Sequence, residues 1–386
     1  MTMSPANHTP SAPPRVVVAM SGGVDSSVAA ALLVAQGYDV TGIMMRLWSE
    51  PGSGPAGPAN RCCTPDQMSD ARRVADRLGI PFYVIDVQER FRQTIVQFFI
   101  DEHEAGRTPN PCVECNRQIR FDHLLQHALA LGADYLATGH YARVRAGAAG
   151  YQLLQGLDAH KDQSYVLHTL NQAQLAHVLF PIGEYTKEQV RQLAREHGLK
   201  VAAKPESQDL CFLKDGDYRR FLREYSLTVQ QPGPIVTEEG RTLGQHEGLA
   251  FYTIGQRKGL GIAAPEPLFV LGKDAARNAL IVGPRERLGQ QDVVVRGVNW
   301  IAGASPVSPI AAQVKIRYKA EPAAATVTPD GSGGAGVRLD EPVYGVTPGQ
   351  AAVFYSGEVC LGGGLISGVA AASENLFRSL GERKEP

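Results

Sequence analysis

Apolar and polar positions follow two textures along the chain. Through roughly the first 200 residues, short apolar runs alternate with longer amphipathic runs, the pattern of strands interleaved with helices. RVVVAM predicts a first strand, SSVAAALLVAQG a helix closed by Gly37, and DVTGIMMRLW a second strand. Thr64 and Pro65 predict the cap and first turn of a helix that Gly79 closes, and PFYVIDV a third strand. A helix is expected from Glu89 to Ala105, another over NRQIRFDHLLQHALALG after the loop GRTPNPCVEC, and a buried strand at DYLATGH. Strands that are apolar throughout belong in an α/β domain whose parallel sheet is covered on both faces.

YARVRAGAAGYQLLQGL reads as a hairpin turned at Gly147 to Gly150, and Thr186 with Gln189 as a capping box. Beyond about residue 215 long helices give way to short apolar runs punctuated by Gly and Pro, the texture of small sheets and barrels. The expected organisation is a disordered tail over 1–14, an α/β domain over 15–215, a small middle domain over 216–286, a β-barrel over 287–372 and a polar tail over 373–386.

Charge changes this picture little. Among 386 residues, 38 Lys and Arg nearly cancel 39 Asp and Glu, so any nucleic-acid partner must be met by local clusters such as RQIR, QRKG and KIRYK. No apolar run approaches the roughly 18 to 20 residues that span a bilayer, and MTMSPANHTPSAPPR lacks the apolar segment of a signal peptide. Six cysteines are too sparse for a secreted disulfide scaffold of this length, so a reducing cytoplasm is expected.

The stretch VVVAMSGGVDSSVAAALL has the outline of a phosphate-binding loop without the lysine that a Walker-type loop uses. It offers instead the main-chain N–H groups of Ser21, Gly22 and Gly23 at the start of a helix, where the dipole favours an anion. Ser21, Ser26 and Ser27 add hydroxyls, and Asp25 a carboxylate for magnesium or for capping the helix.

TPNPCVECN and PESQDLCF lie in Pro-bounded loops about a hundred residues apart, and loops at one edge of an α/β sheet meet in space. Cys115, opening a helix beside Arg117 and Arg120, is a candidate reactive thiol. Cys211, near Lys204 and Lys214 in sequence, is its candidate partner. Two metal readings stand beside this one: zinc on Cys62, Cys63, Cys112 and Cys115, which adjacent cysteines suit poorly, and an iron–sulfur cluster on Cys112, Cys115 and Cys211. Cys360 reads as an inert core residue.

SGGVDSS after an apolar strand resembles the PP-loop of the ATP pyrophosphatases, with their adenine nucleotide alpha hydrolase-like fold. Joined in order by GRTPNPCVECNRQIRF, DYLATGHYARV, GLDAHKDQSYVL, LFPIGEYTKEQVR, SQDLCF, GQRKGLGI and VTPGQAAVFYSGEVCLGGG, it closely resembles the tRNA-specific 2-thiouridylase family over nearly residues 15 to 368. The resemblance implies a tRNA sulfurtransferase that uses ATP and Mg2+ to adenylate the C2 oxygen of the wobble uridine in tRNAs for Lys, Glu and Gln. Sulfur from a cysteine desulfurase or a sulfur-relay protein then displaces AMP. It implies that Cys211 carries a persulfide, that Cys115 is the nucleophile, and that the two end as a disulfide-bonded redox pair. It assigns ATP contacts to Ala19, Met20, Ser21, Gly22, Gly23, Val24, Asp25, Ser26, Met45 and Gly139, and target-base contacts to Asn110, Pro111 and Cys112. It assigns tRNA contacts to His140, Lys161, Asp162, Gln163, Arg317, Tyr318 and Gln350. Many relatives have aspartate in place of Cys112, which leaves the role of that position open. The rival readings are another PP-loop ligase or amidotransferase, which would need neither Cys115 nor Cys211, and an iron–sulfur-dependent tRNA thiolase.

Overall fold

Arg15–Ala19 (β1) is the hub of the first layer, with Val16, Val17 and Val18 all buried. The structure, a computed structural model, describes residues 12–51, 64–205 and 210–369. Cys62, Cys63 and most of the expected terminal tails lie outside these residues.

β1 leads through Ser21–Gly23 into Val24–Ala35 (α1), where Val24, Val28, Ala29, Ala30 and Ala31 are buried, and then to Asp39–Arg46 (β2). Pro65–Leu78 (α2) opens with the capping box expected of Thr64 and Gln67 and closes on Gly79 at φ 67°, a left-handed position that suits glycine. Phe82–Asp86 (β3) follows. The next two helices, residues 88–104 (α3) and 111–130 (α4), are not regular α-helices: Arg92–Val96 and Cys115–Leu124 are wound as π-helix. Tyr135–Thr138 (β4) then returns beside β1.

Ala142–Gly147 (β5) and Gly150–Gln155 (β6) form the expected hairpin, after which Val178–Leu179 (β7) joins the edge of the first sheet. That sheet is parallel throughout, in the order β3-β2-β1-β4-β7. The chain passes to one side of β1 to form β2 and to the other to form β4. A switch point of this kind opens a crevice at the carboxyl end of the central strand, where open α/β sheets bind ligands. Lys187–Glu196 (α5), opened by the Thr186–Gln189 capping box, covers α1.

Tyr218–Tyr225 (α6) leads into a four-stranded sheet of Gly233–Thr237 (β8), Thr242–His246 (β9), Phe269–Asp274 (β10) and Ala279–Gly283 (β11), ordered β10-β11-β8-β9. The remaining strands are Gly289–Trp300 (β12), Ile310–Lys315 (β13), Ala323–Pro329 (β14), Ala335–Tyr344 (β15), Ala351–Ser356 (β16) and Val359–Val369 (β17). They close into a six-stranded barrel because β12 pairs with both β15 and β17. Its interior is filled by alternate residues such as Val293, Val295, Val327, Val337, Leu339 and Phe354, so it is packed rather than hollow.

The hairpin does not belong to the first sheet. β6 pairs with β17 through Val359–Leu154 and Cys360–Leu153, which extends the barrel sheet into the α/β domain. Cys360 is 1% exposed there, and burial pushes its thiol well up, as its reading as a core residue requires. Among the described residues no helix is long and apolar enough to cross a membrane.

Candidate active site

The expected phosphate loop lies at the switch point. Ala19 ends β1, and Met20 donates its N–H to Ile43 O at 2.8 Å, tying the loop entry to β2. Ser21 donates its N–H to Ser26 Oγ at 3.1 Å, and Ser27 Oγ donates to Gly23 O at 2.8 Å, so the loop curls over its own helix start. Gly23 caps α1 with no side-chain hydrogen bond, leaving the first N–H groups of the helix without a side-chain cap. Gly22, at φ 70°, is pressed against Gln67 O, where no side chain would fit. Gly139 just after β4 is equally constrained: a Cβ there would stand 2.6 Å from Ser26 N and 2.7 Å from the carbonyl carbon of Asp25. Met45 is buried on β2, and Val24 opens α1.

Two lysines from far along the chain stand at the loop. Lys187 Nζ, at the start of α5, donates to both carboxylate oxygens of Asp25 at 2.7 and 2.9 Å, and Tyr141 OH donates to the same carboxylate at 2.9 Å. Asp25 therefore does not cap α1; its carboxylate is held by a partner 162 residues away. Lys204 Nζ donates to Gly22 O at 3.0 Å and to Asp70 at 2.7 Å. In the sequence Lys187 falls within the motif LFPIGEYTKEQVR, which assigns it no role, and a first-turn position is not where a cation is expected.

Asn110 caps α4, accepting the N–H of Cys112 at 3.1 Å, and Pro111 takes the first-turn position. Cys112 is exposed, whereas Cys115 is 5% exposed. Arg120 Nη1 donates to Cys115 Sγ at 3.4 Å and to Asn116 Oδ1 at 2.9 Å. The π winding makes this contact: at 3.6 residues per turn, positions five apart face different sides, and the wider i→i+5 ladder returns Arg120 over Cys115. Arg117 turns away to Glu114 at 2.6 Å. His140 packs between the rings of Phe121 and Phe180, bonds through Nδ1 to Thr138 Oγ1 at 2.6 Å, and is pushed down to about 3 by burial and then by the Arg120 charge. It is a neutral ring within the field of Arg120, the residue that donates to Cys115 Sγ.

Cys211 is half-buried and packs against the same apolar cluster that contains Cys115. Its segment leaves the phosphate loop at Lys204 and reaches the exit of β2, where Glu50 N donates to Phe212 O at 3.4 Å and Lys214 N donates to Glu50 at 2.7 Å. Of the two lysines flanking Cys211 in sequence, Lys204 bonds the loop and the Lys214 ammonium lies 3.5 Å from Glu224.

The remaining expected contact residues divide by environment. Asp162 is 5% exposed, and its carboxylate accepts the N–H groups of Gly156 and Ser164 and the Ser164 hydroxyl, so it organises the turn that presents Lys161. Gln163 accepts the N–H of Tyr141 at 3.0 Å. Arg317 is exposed on the barrel and donates to Tyr344 O at 3.0 Å, while Tyr318 packs on Tyr165. Gln350 Nε2 donates to Thr108 O at 2.7 Å, and Thr108 N to Pro348 O at 3.0 Å. The barrel thereby grips the segment just before Asn110.

Among the described residues, Cys112, Cys115 and Cys211 included, no three His, Cys, Asp or Glu side chains are grouped as metal ligands. The zinc reading rests on Cys62 and Cys63, outside the described residues. Mg2+ that arrives with a nucleotide needs only one or two carboxylates besides phosphate oxygens, and Asp25 with the Ser21 and Ser26 hydroxyls fits that demand.

A parallel sheet with a lysine-free Ser-Gly-Gly loop at its switch point defines a protein of the PP-loop class, here followed by a four-stranded sheet and a closed barrel. Family models match in the same order: a tRNA methyl transferase HUP domain over residues 14–215, a tRNA methyl transferase PRC-barrel domain over 219–284, and an aminomethyltransferase beta-barrel domain over 290–366. The chain is 54% identical over 355 residues to the tRNA-specific 2-thiouridylase MnmA of Magnetococcus marinus, covering 92% of this chain and 99% of that protein. It is 52% identical to the protein of the same name from Geobacter metallireducens, covering 91% and 96%. The chain belongs to the tRNA-specific 2-thiouridylase family.

Proposed function

We propose that the protein thiolates C2 of the wobble uridine in tRNAs for Lys, Glu and Gln, using ATP and a protein-borne persulfide. The observation that supports this reading is that Ala19 at the loop entry, Met45, Cys115 and Cys211 all belong to or pack against one apolar cluster. In this reading activation and sulfur delivery work from one side of that cluster.

A C2 carbonyl oxygen is a poor leaving group. Its attack on the α-phosphorus of ATP expels pyrophosphate, which the N–H groups of Ser21 to Gly23 and the helix start suit. Asp25 would hold Mg2+, which supplies charge neutralisation for the phosphates, and Lys187 is placed to take up phosphate charge once Asp25 is engaged. Cys211 receives a persulfide from a desulfurase or relay protein. Attack of the Cys115 thiolate on the inner sulfur of that persulfide forms a Cys115–Cys211 disulfide and releases hydrosulfide. Hydrosulfide adds to C2, AMP departs, and a proton is lost to leave the thiocarbonyl. Attack on C2 by the persulfide itself, resolved by Cys115, gives the same products. A dithiol then reduces the disulfide, returning two electrons. Asn110, Pro111 and Cys112 flank Cys115 where the base would enter, and Lys161, Gln163, Arg317 and Tyr318 offer polar and aromatic contacts to the tRNA. A base already in a single-stranded loop is splayed out at small cost.

The test incubates protein, Mg-ATP, an unmodified glutamate tRNA transcript and a cysteine desulfurase with cysteine under anaerobic conditions, with nucleosides analysed by mass spectrometry. 2-Thiouridine is expected with the wild type and absent with Cys211→Ser or Cys115→Ser, while pyrophosphate release persists in both. Thiolation by Cys211→Ser at the wild-type rate overturns the sulfur-carrier assignment.

A further inference from the structure

Glu50 is 2% exposed and lies beyond the end of β2, outside any regular element. It grips the Cys211 segment twice, through its own N–H on Phe212 O and through its carboxylate on the N–H of Lys214. Phe212, 1% exposed, locks the same turn into a cluster of edge-to-face rings with Phe91, Phe99 and Phe221. A carboxylate that deep needs a counter-cation, and the cation comes from the next domain. Arg220, on α6, meets Glu50 with Nη1 and Nη2 of its guanidinium at 3.0 and 2.8 Å. It also bonds Asp215 at 2.7 Å and Glu224 at 2.8 Å. The planar fork of arginine makes all these contacts at once, which a lysine ammonium cannot reproduce.

We infer that Arg220 is a positioning residue for sulfur transfer: through Glu50 it fixes the turn that presents Cys211, so that the helix opening the middle domain sets where the sulfur sits. Arg220 touches neither nucleotide loop nor thiol; it acts through the carboxylate. The inference rests on Cys211 being the sulfur carrier, and the experiment separates the two. A misplacement of ~1 Å in a reacting group costs up to about a hundredfold in rate. Arg220→Met and Arg220→Lys are compared with wild type in single turnover, with the persulfide loaded in advance, reading pyrophosphate release and 2-thiouridine formation separately. Pyrophosphate release is expected to stay within about twofold, while sulfur transfer falls roughly tenfold to a hundredfold in Arg220→Met, with partial recovery in Arg220→Lys.

Arg220→Met strands a buried charge, so the double variant Glu50→Gln/Arg220→Met, which removes both charges, is measured beside it for the case in which the single variant does not fold. The alkylation rate of Cys211, read by peptide mass spectrometry against exposed Cys112, reports the turn without catalysis and is expected to change in both variants. Sulfur transfer and Cys211 alkylation at wild-type rates in the folded variants overturn the inference, as does an equal fall in pyrophosphate release and sulfur transfer. If Cys211→Ser still thiolates tRNA, the sulfur-carrier reading fails, whatever Arg220 does.

Discussion

Gly139→Ala isolates the contact that shapes the phosphate loop. The added methyl would lie 2.6 Å from Ser26 N and 2.7 Å from the Asp25 carbonyl carbon, against about 3.4 Å for ordinary contact. Both neighbours are main chain, so no side chain can swing aside, and the start of α1 must retreat from β4 by roughly 0.8 Å. That start is tied by Ser27 Oγ on Gly23 O and by Ser21 N on Ser26 Oγ, so the N–H groups of the loop move with it. Overpacking of this kind costs about 1–3 kcal/mol, and at about 1.4 kcal/mol per decade that is roughly a fivefold to 150-fold loss if the loop bears it. Titration calorimetry with a nonhydrolysable ATP analogue, paired with thermal unfolding, shows which part yields. Weakened binding with a small fall in melting temperature is expected. Gly147→Ala, whose methyl would meet nothing closer than 3.6 Å, is the control. A Gly139→Ala protein that binds the analogue within about twofold and melts with the wild type would refute the reasoning, because a clash of this size must be borne by one or the other.

Three further outcomes are expected. Lys187→Met removes the cation held at Asp25 and should slow tRNA-dependent pyrophosphate release by about a hundredfold, with tRNA affinity in a filter-binding assay unchanged. Arg120→Gln should slow iodoacetamide alkylation of Cys115 at neutral pH about tenfold and weaken its ultraviolet thiolate band, while Arg120→Lys retains both; equal rates in all three proteins would show that the N–H···S contact carries no charge stabilisation. Lys273, on β10 with its half-exposed stem leading to a buried Nζ, has no hydrogen-bond partner for that atom, and burial pushes it down to about 8 from 10.5. Its folded-state proton is therefore lost before the unfolded-state one, so the burial cost is full below pH 8 and fades as pH rises towards 10.5. Lys273→Met should raise stability by up to ~3 kcal/mol near neutrality, and its lead over wild type in denaturant melts should shrink across that window.

Local chemistry made much of the fold legible. Thr64-Pro65 and Gly79 bound α2 as expected, because a cap, a first-turn proline and a left-handed glycine are decided by neighbouring residues alone. The change from long helices to short Gly- and Pro-punctuated strands likewise marks the chemistry of turns. What stayed hidden depends on distance. Cys115 was recognisable as a candidate beside two arginines, but which one meets the sulfur follows from π winding, a change of ladder that amphipathic spacing does not report. The absent loop lysine was visible, whereas Lys187 and Lys204 come from 162 and 182 residues further along the chain, and no local pattern links either of them to the loop. Asp162 stands in a polar stretch that carries no local sign of burial, yet it is buried and its carboxylate accepts the N–H groups of Gly156 and Ser164.

The hairpin that pairs with the barrel has a consequence for how the chain is made. β6 is synthesised some two hundred residues before β17, the strand that covers its edge, so during elongation that edge is left open. An uncovered strand edge is an invitation to pair with another chain. A fragment ending at residue 286, cut to isolate the nucleotide-binding half, should therefore self-associate instead of behaving as an independent domain, and the whole chain should reach its final state only once its last strand has left the ribosome.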